Sequence, residues 1–363
     1  MGTDRKTAPA GGLSRIYGTF FRREPHMRSL ALLFAISFAA LSLLRPSIFL
    51  TRSYLVNILY LFPEYGILAL GMMLCMISGG IDLSVTATAN MSGILCAMFL
   101  VRAVPAGSSA AWGSAMLAAA VLLALVIGFA CGSLCGLLIS KIGIPPILAT
   151  LGASDLILGG AVALTRGSAI SNLPPILSSV GSYIIADLIP VSLITFALCA
   201  AAVDFFLRRS TFGMRLFMLG ANPKASAFSG VNNDAVICRT YITSGMLAGL
   251  SGILMCARFN SARADFGASY TMQAILICVL GGVNPNGGFG SVRGVTLAIL
   301  ILQILSSGFN MFPGISNFYR DLIWGLVLIL VMICSVLGND LRLRRMREAL
   351  RKERTAFTPG SGR

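Results

Sequence analysis

Long apolar segments alternate with short polar connections along most of the chain, and their length predicts membrane-spanning helices. About 20 apolar residues are needed for a helix to cross the hydrocarbon core of a bilayer, and one segment after another reaches that length. The segments lack the period-two alternation of a β-barrel strand, so helices must satisfy their backbone groups in lipid. We place ten spans at residues 29–50, 54–77, 83–101, 112–140, 145–165, 189–207, 240–257, 271–282, 293–309 and 319–338.

The eighth of these segments, residues 271–282, is too short to cross a bilayer. As a helix its 12 residues would extend only about 18 Å. It ends at Gly281 and Gly282, and the following sequence VNPNGGFGSVRG, which contains Gly287 and Gly288, predicts an irregular turn. Because lipid excludes irregular backbone that protein does not cover, we predict an all-α polytopic membrane protein with broken or half helices.

Composition agrees with this class and with one long membrane domain. Hydrophobic residues make up 56% of the chain and charged residues 11%, and the mean hydropathy is +0.85. A soluble globular chain carries about 25% charged residues. The first 28 residues are too polar and too long for the start of a signal peptide, so we expect the first span to be retained. The predicted organisation is a basic N-tail at 1–28, a transmembrane domain at 29–338 with its longest inside loop at 208–239, and a basic C-tail at 339–363.

The distribution of lysine and arginine predicts the orientation. With ten spans and a cytoplasmic N-terminus, the inside segments carry 21 of the 28 basic residues and the outside segments carry 7. This bias follows the positive-inside rule and predicts that both termini lie in the cytoplasm. The net charge of +15 is then a property of the cytoplasmic face, where it can contact anionic lipids, and it requires no nucleic-acid partner.

The sequence carries no recognisable motif for catalysis, nucleotide binding or metal binding. None of the four lysines, Lys6, Lys141, Lys224 and Lys352, belongs to a GxxxxGK[ST] loop, so we expect this chain not to hydrolyse ATP. The single histidine, His26, lies in the tail, which argues against a Ser/His/Asp set and against a histidine metal site. Most of the nine cysteines lie in predicted spans, where they are expected to pack. We therefore predict no enzyme activity, no metal and no cofactor in this chain.

The inside loop at 208–239 contains the signals of a short, separate helix. Asn222 is a favourable N-cap, Pro223 suits the first helical position, and Gly230 suits the position after the C-cap. They enclose a two-turn helix about 10 Å long. On the residues alone two interpretations stay open: the helix pushes against a soluble partner, or it lies on the membrane surface. The candidate coupling residues are Asn222, Pro223, Lys224, Ala225, Phe228 and Gly230.

An acidic residue stands between the second and third spans, in the sequence GGIDLSV. Gly79 and Gly80 are suited to end one helix, because glycine readily adopts the left-handed conformation of a helix C-terminus. Asp82 is suited to cap the next helix by accepting from N–H groups near Ser84 and Val85. We interpret the segment first as a structural turn at the cytoplasmic end of both spans, and second as a turn that also holds the coupling helix. Direct contact between Asp82 and a cargo is not expected at this end.

One acid lies much deeper in the predicted membrane. Asp155 follows Pro145 by about 15 Å along the fifth span, near the middle of the bilayer. An ionisable group at this depth should face protein or water rather than lipid, and it marks a functional site by default. We name Asp155, Asn90 and Thr150 as candidate residues of a substrate pathway.

Four segments, in order, resemble the signature segments of the ribose-type ABC sugar permeases. They are GGIDLSV, IPPILATLGASDLILGGAVALTRGSAIS, STFGMRLFMLGANPKASAFSGVN and VLGGVNPNGGFGSVRG, and the resemblance covers residues 29–338. Gly159 stands where the family often has arginine, and GAN replaces its GGN at 220–222. For this reason ribose itself is not carried over as the cargo.

The resemblance implies a membrane subunit of a bacterial importer of a monosaccharide or a similar small sugar or polyol. It also implies a second permease subunit, identical or different, and a periplasmic sugar-binding protein. A cytoplasmic ATPase with two fused nucleotide-binding halves would bind the ATP and Mg²⁺. The functional alternative is a proton-coupled secondary transporter in which Asp155 and Glu64 carry protons. A structural scaffold subunit is a third class, but it would not need glycine-broken spans.

Overall fold

The computed structural model describes most of the predicted membrane domain, namely residues 25–105, 107–185, 187, 189–311, 322, 325, 326 and 329. The chain divides into two units between residues 312 and 313, and the architecture below is that of the first unit. Within the described residues, eight helices are long and apolar enough to span a membrane. They are His26–Leu44, Arg52–Ile77, Val85–Ala103, Ala110–Ile142, Pro146–Thr165, Val191–Arg209, Asn233–Phe259 and Val292–Asn310.

These eight helices confirm eight of the ten predicted spans and the all-α class. The predicted short segment at 271–282 is a helix of 11 residues, Tyr270–Leu280. The tenth predicted span, at 319–338, lies almost entirely outside the described residues. The predicted tails at 1–28 and 339–363 do so as well, except for residues 25–28, so the proposed domain boundaries stay predictions.

We number the elements in chain order. The helices are α1 Pro25–Leu44, α2 Pro46–Phe49, α3 Arg52–Leu61, α4 Pro63–Ile77, α5 Val85–Ala103, α6 Ala110–Leu137, α7 Pro146–Thr165, α8 Pro175–Ser182, α9 Val191–Arg209, α10 Thr211–Ala221, α11 Pro223–Phe228, α12 Asn233–Phe259, α13 Tyr270–Leu280 and α14 Val292–Asn310. A π-helical turn, Leu138–Ile142, continues α6. A two-residue antiparallel ribbon, β1 Ile184–Ile185 with β2 Ile189–Pro190, precedes α9.

Local chemistry sets many of the helix starts. A proline occupies one of the first two helical positions in α2, α4, α7, α8 and α11, where its missing N–H has no intrahelical partner to lose. Serine or asparagine side chains cap α6, α10, α11, α12 and α14 by accepting a backbone N–H three residues later. The capping residues are Ser109, Ser210, Asn222, Asn232 and Ser291.

The core is built around α4 and α12. Every residue of α4 is buried, and α12 packs against α4, α5 and α6. Close approach of α6 and α12 depends on glycines: a Cβ built at Gly128 or Gly132 would collide with the backbone of α12, and one at Gly245 or Gly249 would collide with that of α6. Paired small residues at this spacing are typical of helix contacts in membranes. The outward faces of α1, α6, α7 and α9 expose large apolar side chains, as expected for surfaces that meet lipid or another subunit.

Candidate functional site

Three chain segments meet backbone to backbone at what we call the glycine junction, formed by Ile77, Gly79, Gly220, Gly287 and Gly288. The N–H of Gly288 donates to the carbonyl of Ile77 at 2.9 Å. A Cβ at Gly220 would collide with that carbonyl and with the nitrogen of Gly288, and a Cβ at Gly287 would lie 3.0 Å from the Cα of Gly79. The junction therefore joins the end of α4, the end of α10 and the turn after α13 without side chains between them.

The end of α4 has the hydrogen bonds of a Schellman motif. The N–H of Gly80 donates to the carbonyl of Cys75, and the N–H of Gly79 donates to that of Met76, both at 3.0 Å. Gly79 has φ +88°, which side-chain-bearing residues rarely adopt. The two glycines end the helix at the predicted place.

Asp82 fastens the turn that follows to the central helix. Its side chain is buried, with 2% of the residue exposed. One carboxylate oxygen accepts from the N–H of Ser84 at 3.0 Å and from its hydroxyl at 2.6 Å. The other accepts from the hydroxyl of Ser244 in α12 at 2.9 Å. Ser84, and not Asp82, is the N-cap residue of α5, so the bond from the Ser84 N–H lies in the turn before the helix and is not the predicted helix cap. The bond from Ser244 adds a link to α12 that no local pattern indicates.

Thr150 lies at the same turn. Its side-chain oxygen accepts from the N–H of Leu83 at 3.1 Å, and its hydroxyl lies 2.9 Å from the carbonyl of Pro146 and 3.2 Å from that of Ile81. The residue is fully buried. Thr150 therefore joins the first turn of α7 to the loop that carries Asp82, and its role in a substrate pathway stays a prediction.

The predicted coupling helix is α11. The side-chain oxygen of Asn222 accepts from the N–H of Ala225 at 3.0 Å, and Pro223 is the first helical residue. At the other end Gly230 has φ +77°, and the N–H of Val231 donates to the carbonyl of Ser226 at 3.2 Å. Both ends of this six-residue helix are thus closed by hydrogen bonds.

A second set of contacts clamps α11 to α12. Asn233, the first residue of α12, donates to the carbonyl of Pro223 at 2.8 Å and accepts from the hydroxyl of the buried Ser226 at 2.9 Å. Lys224 and Phe228 point away from this contact, and 93% of Phe228 is exposed. The helix therefore has one face fixed to the long central helix and an uncovered face with a large apolar side chain.

Asn90 lies in the second turn of α5 and holds the loop before α13. Its amide donates to the carbonyl of Ala264 at 2.7 Å and to that of Phe266 at 2.9 Å. Because the residue is buried, these two bonds satisfy both of its N–H donors. As with Thr150, the structure gives Asn90 a positioning contact, and its role toward a cargo stays a prediction.

Asp155 is in a different environment from the other two pathway candidates. It lies exposed on α7 and has no hydrogen-bond or ion-pair partner among the described residues. Gly152 and Gly159 lie on the same side of α7, and a Cβ built at either would meet no atom within 4 Å. Leu148 and Leu156, on this side as well, are exposed. The single chain thus leaves this face of α7, with its carboxylate, uncovered.

A charge cluster around the buried Glu64, at the far end of α12, was not predicted. Glu64, in the first turn of α4, forms an ion pair with Arg258 of α12 and accepts from the hydroxyl of Tyr270 in α13 at 2.5 Å. We call these three residues the Glu64 cluster. The only sequence signal was the presence of opposite charges in otherwise apolar segments, and it could not identify the partners. In the secondary-transporter alternative Glu64 carries protons. Its ion pair with Arg258 does not match that role.

Comparison with known proteins identifies the family. The family model described as branched-chain amino acid transport system / permease component matches residues 54–332. Similar proteins include the autoinducer 2 import system permease proteins LsrD of Escherichia coli K12 and of Yersinia enterocolitica serotype O:8. They are 30% and 31% identical to the chain over 286 residues, which is 77% of this chain and 82% and 81% of theirs. No solved structure gives a significant match.

The match extends over most of the membrane domain and includes α11, the glycine junction and α7. It agrees with the ordered signature segments and with the eight spanning helices. The chain belongs to the branched-chain amino acid and ribose-type family of ABC transporter permeases, as its resemblance to sugar permeases predicted.

Proposed function

We propose that the chain imports a monosaccharide or a similar small sugar or polyol, together with a second permease subunit and with energy from a separate ATPase. The family makes it a permease component of an ABC importer, a transport subunit rather than an enzyme, in the bacterial inner membrane. Such importers work as complexes with an ATPase and a binding protein. The cargo, the arrangement of these partners and the cytoplasmic position of both termini are the proposed part.

The observation that carries the coupling proposal is the geometry of α11. A helix of six residues is too short to be stable alone, yet this one is capped at both ends and clamped to α12 through Asn233. Its exposed Phe228 is suited to enter an apolar groove of a soluble partner, as large apolar side chains do at the centres of interfaces. The glycine junction transmits a displacement of α10 and α11 to the ends of α4 and α13.

The pathway proposal rests on the exposed face of α7. A carboxylate that faces lipid near the middle of a bilayer costs several kcal/mol. Protein or water must therefore cover the face of α7 that carries Asp155. We place this face toward the second permease subunit and the cargo pathway between the subunits. Gly152 and Gly159 leave room for a close approach there. In this arrangement Asp155 hydrogen-bonds to the passing cargo or to the facing subunit.

Uptake into membrane vesicles tests the function. Vesicles that hold the complete complex and internal ATP are supplied with radiolabelled ribose, xylose, galactose or autoinducer 2, the last because of the names of the relatives. We expect accumulation of one of these compounds that depends on internal ATP and continues in the presence of an uncoupler. Accumulation that stops with the uncoupler while ATP is maintained would contradict the proposal and favour proton coupling.

The Asp155 proposal has its own pair of variants. We expect Asp155→Leu to lower uptake several-fold with little loss of expression, and Asp155→Asn to have a milder effect because it keeps the hydrogen-bonding capacity. Uptake rate and the amount of complex in the membrane are measured on the same vesicles. Normal uptake with Asp155→Leu would remove the residue from the pathway.

A further inference from the structure

The short helix α13 requires support at its first turn. Its 11 residues extend about 16 Å, so it cannot cross the membrane and both of its ends lie within the protein. The far end is fixed, because Gly281 packs against the first turn of α14. At the near end the N-cap residue Ser269 makes no side-chain capping bond, so tertiary contacts must hold Tyr270 and its neighbours in place.

Three polar contacts provide that support, and two of them come from residues of α5. Thr271 and Thr86 of α5 share a hydrogen bond of 2.7 Å, and Asn90 holds the preceding loop as described above. The third contact is the bond of 2.5 Å from the Tyr270 hydroxyl to Glu64, and the ring of Tyr270 also packs 5.7 Å from that of Tyr65. Of these contacts, only the one to Glu64 reaches a charged group.

Glu64 in turn binds α4 to the end of α12. It is 3% exposed, and the same carboxylate oxygen that accepts from Tyr270 also contacts Arg258. The backbone carbonyl of Glu64 accepts from the hydroxyl of Ser251 in α12 at 2.8 Å. Arg258 additionally lies 3.4 Å from the carbonyl of Leu61. Glu64 is the buried member of this pair and Arg258 is half-buried. The pair fixes the relative position of its helices, because the buried carboxylate cannot lose its partner without a large penalty.

The helix that carries Arg258 begins at the coupling helix. Asn233 clamps α11 at one end of α12, and Arg258 lies near the other end of the same uninterrupted helix. The rise of an α-helix separates these two residues by about 38 Å. A displacement of α11 along the axis of α12 therefore reaches the Glu64 cluster through one rigid element.

From this arrangement we propose that Glu64 and Tyr270 are positioning residues of transport. In this inference, which rests on the proposed ATP coupling, α12 carries the movement of α11 to Arg258. The Glu64 cluster then passes the movement to the first turn of α13 and to the loop at 260–269. The cluster connects ATP hydrolysis to a change at the opposite end of the membrane domain, and it does not contact the ATPase.

Tyr270→Phe is the sharpest test, because it removes one hydroxyl and keeps the ion pair and the ring. ATP hydrolysis and uptake are measured in vesicles that hold the complete complex. The probe is the compound, among ribose, xylose, galactose and autoinducer 2, that the wild type accumulates. We expect hydrolysis to be retained and uptake per ATP hydrolysed to fall at least three-fold. Tyr65→Phe is the matched control: it removes a buried hydroxyl that bonds to Gln303 in α14 at 2.5 Å, so its uptake per ATP should stay that of the wild type.

A second pair of variants tests the link to α12. Glu64→Gln leaves Arg258 unpaired and can lower the amount of folded complex, so the double variant Glu64→Gln, Arg258→Met is measured beside it. We expect the double variant to recover the folded amount and to keep the low uptake per ATP. Recovery of normal uptake per ATP in the double variant would overturn the inference.

The outcomes separate this inference from the proposed function. ATP-dependent uptake by the wild type combined with unchanged uptake per ATP in Tyr270→Phe overturns the inference alone. An equal fall in Tyr65→Phe also overturns it, since the effect would then follow from any lost buried hydroxyl. Absence of ATP-dependent uptake for every probe in the wild type would overturn both proposals together.

Discussion

The two ends of α12 are held by different kinds of contact. At its first residue, Asn233 binds α11 through neutral hydrogen bonds on a partly exposed surface. Near its last residue, Arg258 is held by a buried carboxylate from a residue 194 positions earlier in the chain. Neutral bonds near solvent contribute about 1 kcal/mol each, whereas an uncompensated buried charge costs about 3–5 kcal/mol. The contacts at the first end therefore cost less to rearrange than those at the second end, which is suited to keep its geometry.

The largest effect is expected for Glu64→Gln, which leaves the positive charge of the half-buried Arg258 without its partner. We expect the free energy of unfolding to fall by about 3 kcal/mol, measured by denaturation of the purified subunit in detergent. Asn233→Ala, at the other end of α12, removes two neutral hydrogen bonds and should lower it by about 2 kcal/mol. Equal losses for the two variants would remove the contrast between the two ends.

The next effect concerns the glycine junction, which joins the end of α10, just before α11, to the end of α4 and to the turn after α13. Because a Cβ at Gly220 would collide with the backbone of Ile77 and Gly288, we expect Gly220→Ala to cost about 1–3 kcal/mol and to displace α11. The yield of co-purified ATPase reports the displacement. Gly113→Ala is the control, since its Cβ would meet Ile176 at an ordinary 3.6 Å. A normal yield with Gly220→Ala would show that the junction can adapt.

Much of the structure of α11, next to the first residue of α12, was predictable because its sequence signals are local. Asn222, Pro223 and Gly230 lie within nine positions of one another, and capping depends on the backbone of the next few residues. Eight spans followed from apolar length in the same way. Even there, the clamp through Asn233 was missed, because Asn232 and Asn233 both suit a helix start and only packing shows which one binds α11.

The contacts of the Glu64 cluster, at the other end of α12, could not be predicted, because its members are distant from one another in the chain. Tyr270 lies 206 positions from Glu64, and nothing in the apolar pattern indicates which faces of α4, α12 and α13 meet. The candidate pathway residues show the same limit. Asn90 and Thr150 proved to be bonded to backbone groups, and Asp155 proved to be uncovered. Residue type and depth alone predicted one role for all three, whereas their contacts differ.

Phe228→Ala is expected to have little effect on stability but a specific effect on assembly with the ATPase. The side chain is 93% exposed, so its removal should leave the free energy of unfolding nearly unchanged. If it occupies a groove of the ATPase, truncation should still reduce the co-purified ATPase several-fold. Phe206→Ala, at another exposed phenylalanine on α9, should leave the yield unchanged. An unaltered yield with Phe228→Ala would favour a helix that lies on the membrane surface.

The smallest change is the loss of a single capping hydrogen bond. The same loss can be made in two adjacent helices, and its effects on the two can be compared. Asn222 caps the six-residue α11, and Asn232 caps the 27-residue α12, each by accepting one N–H at 3.0 Å. Replacing either residue by alanine removes a bond worth about 1 kcal/mol.

The same loss should have unequal consequences, because α12 is held along its length by packing against α4, α5 and α6. In contrast, α11 depends on its caps and on the clamp to Asn233. A change of about 1 kcal/mol alters a local equilibrium roughly five-fold, which is enough to leave a short helix partly unwound. We therefore expect Asn222→Ala to lower ATP-driven uptake several-fold and Asn232→Ala to leave it near the wild-type rate, both at unchanged expression. A wild-type rate for Asn222→Ala would mean that the clamp through Asn233 is sufficient to keep α11 folded, and that its N-terminal cap contributes little to coupling.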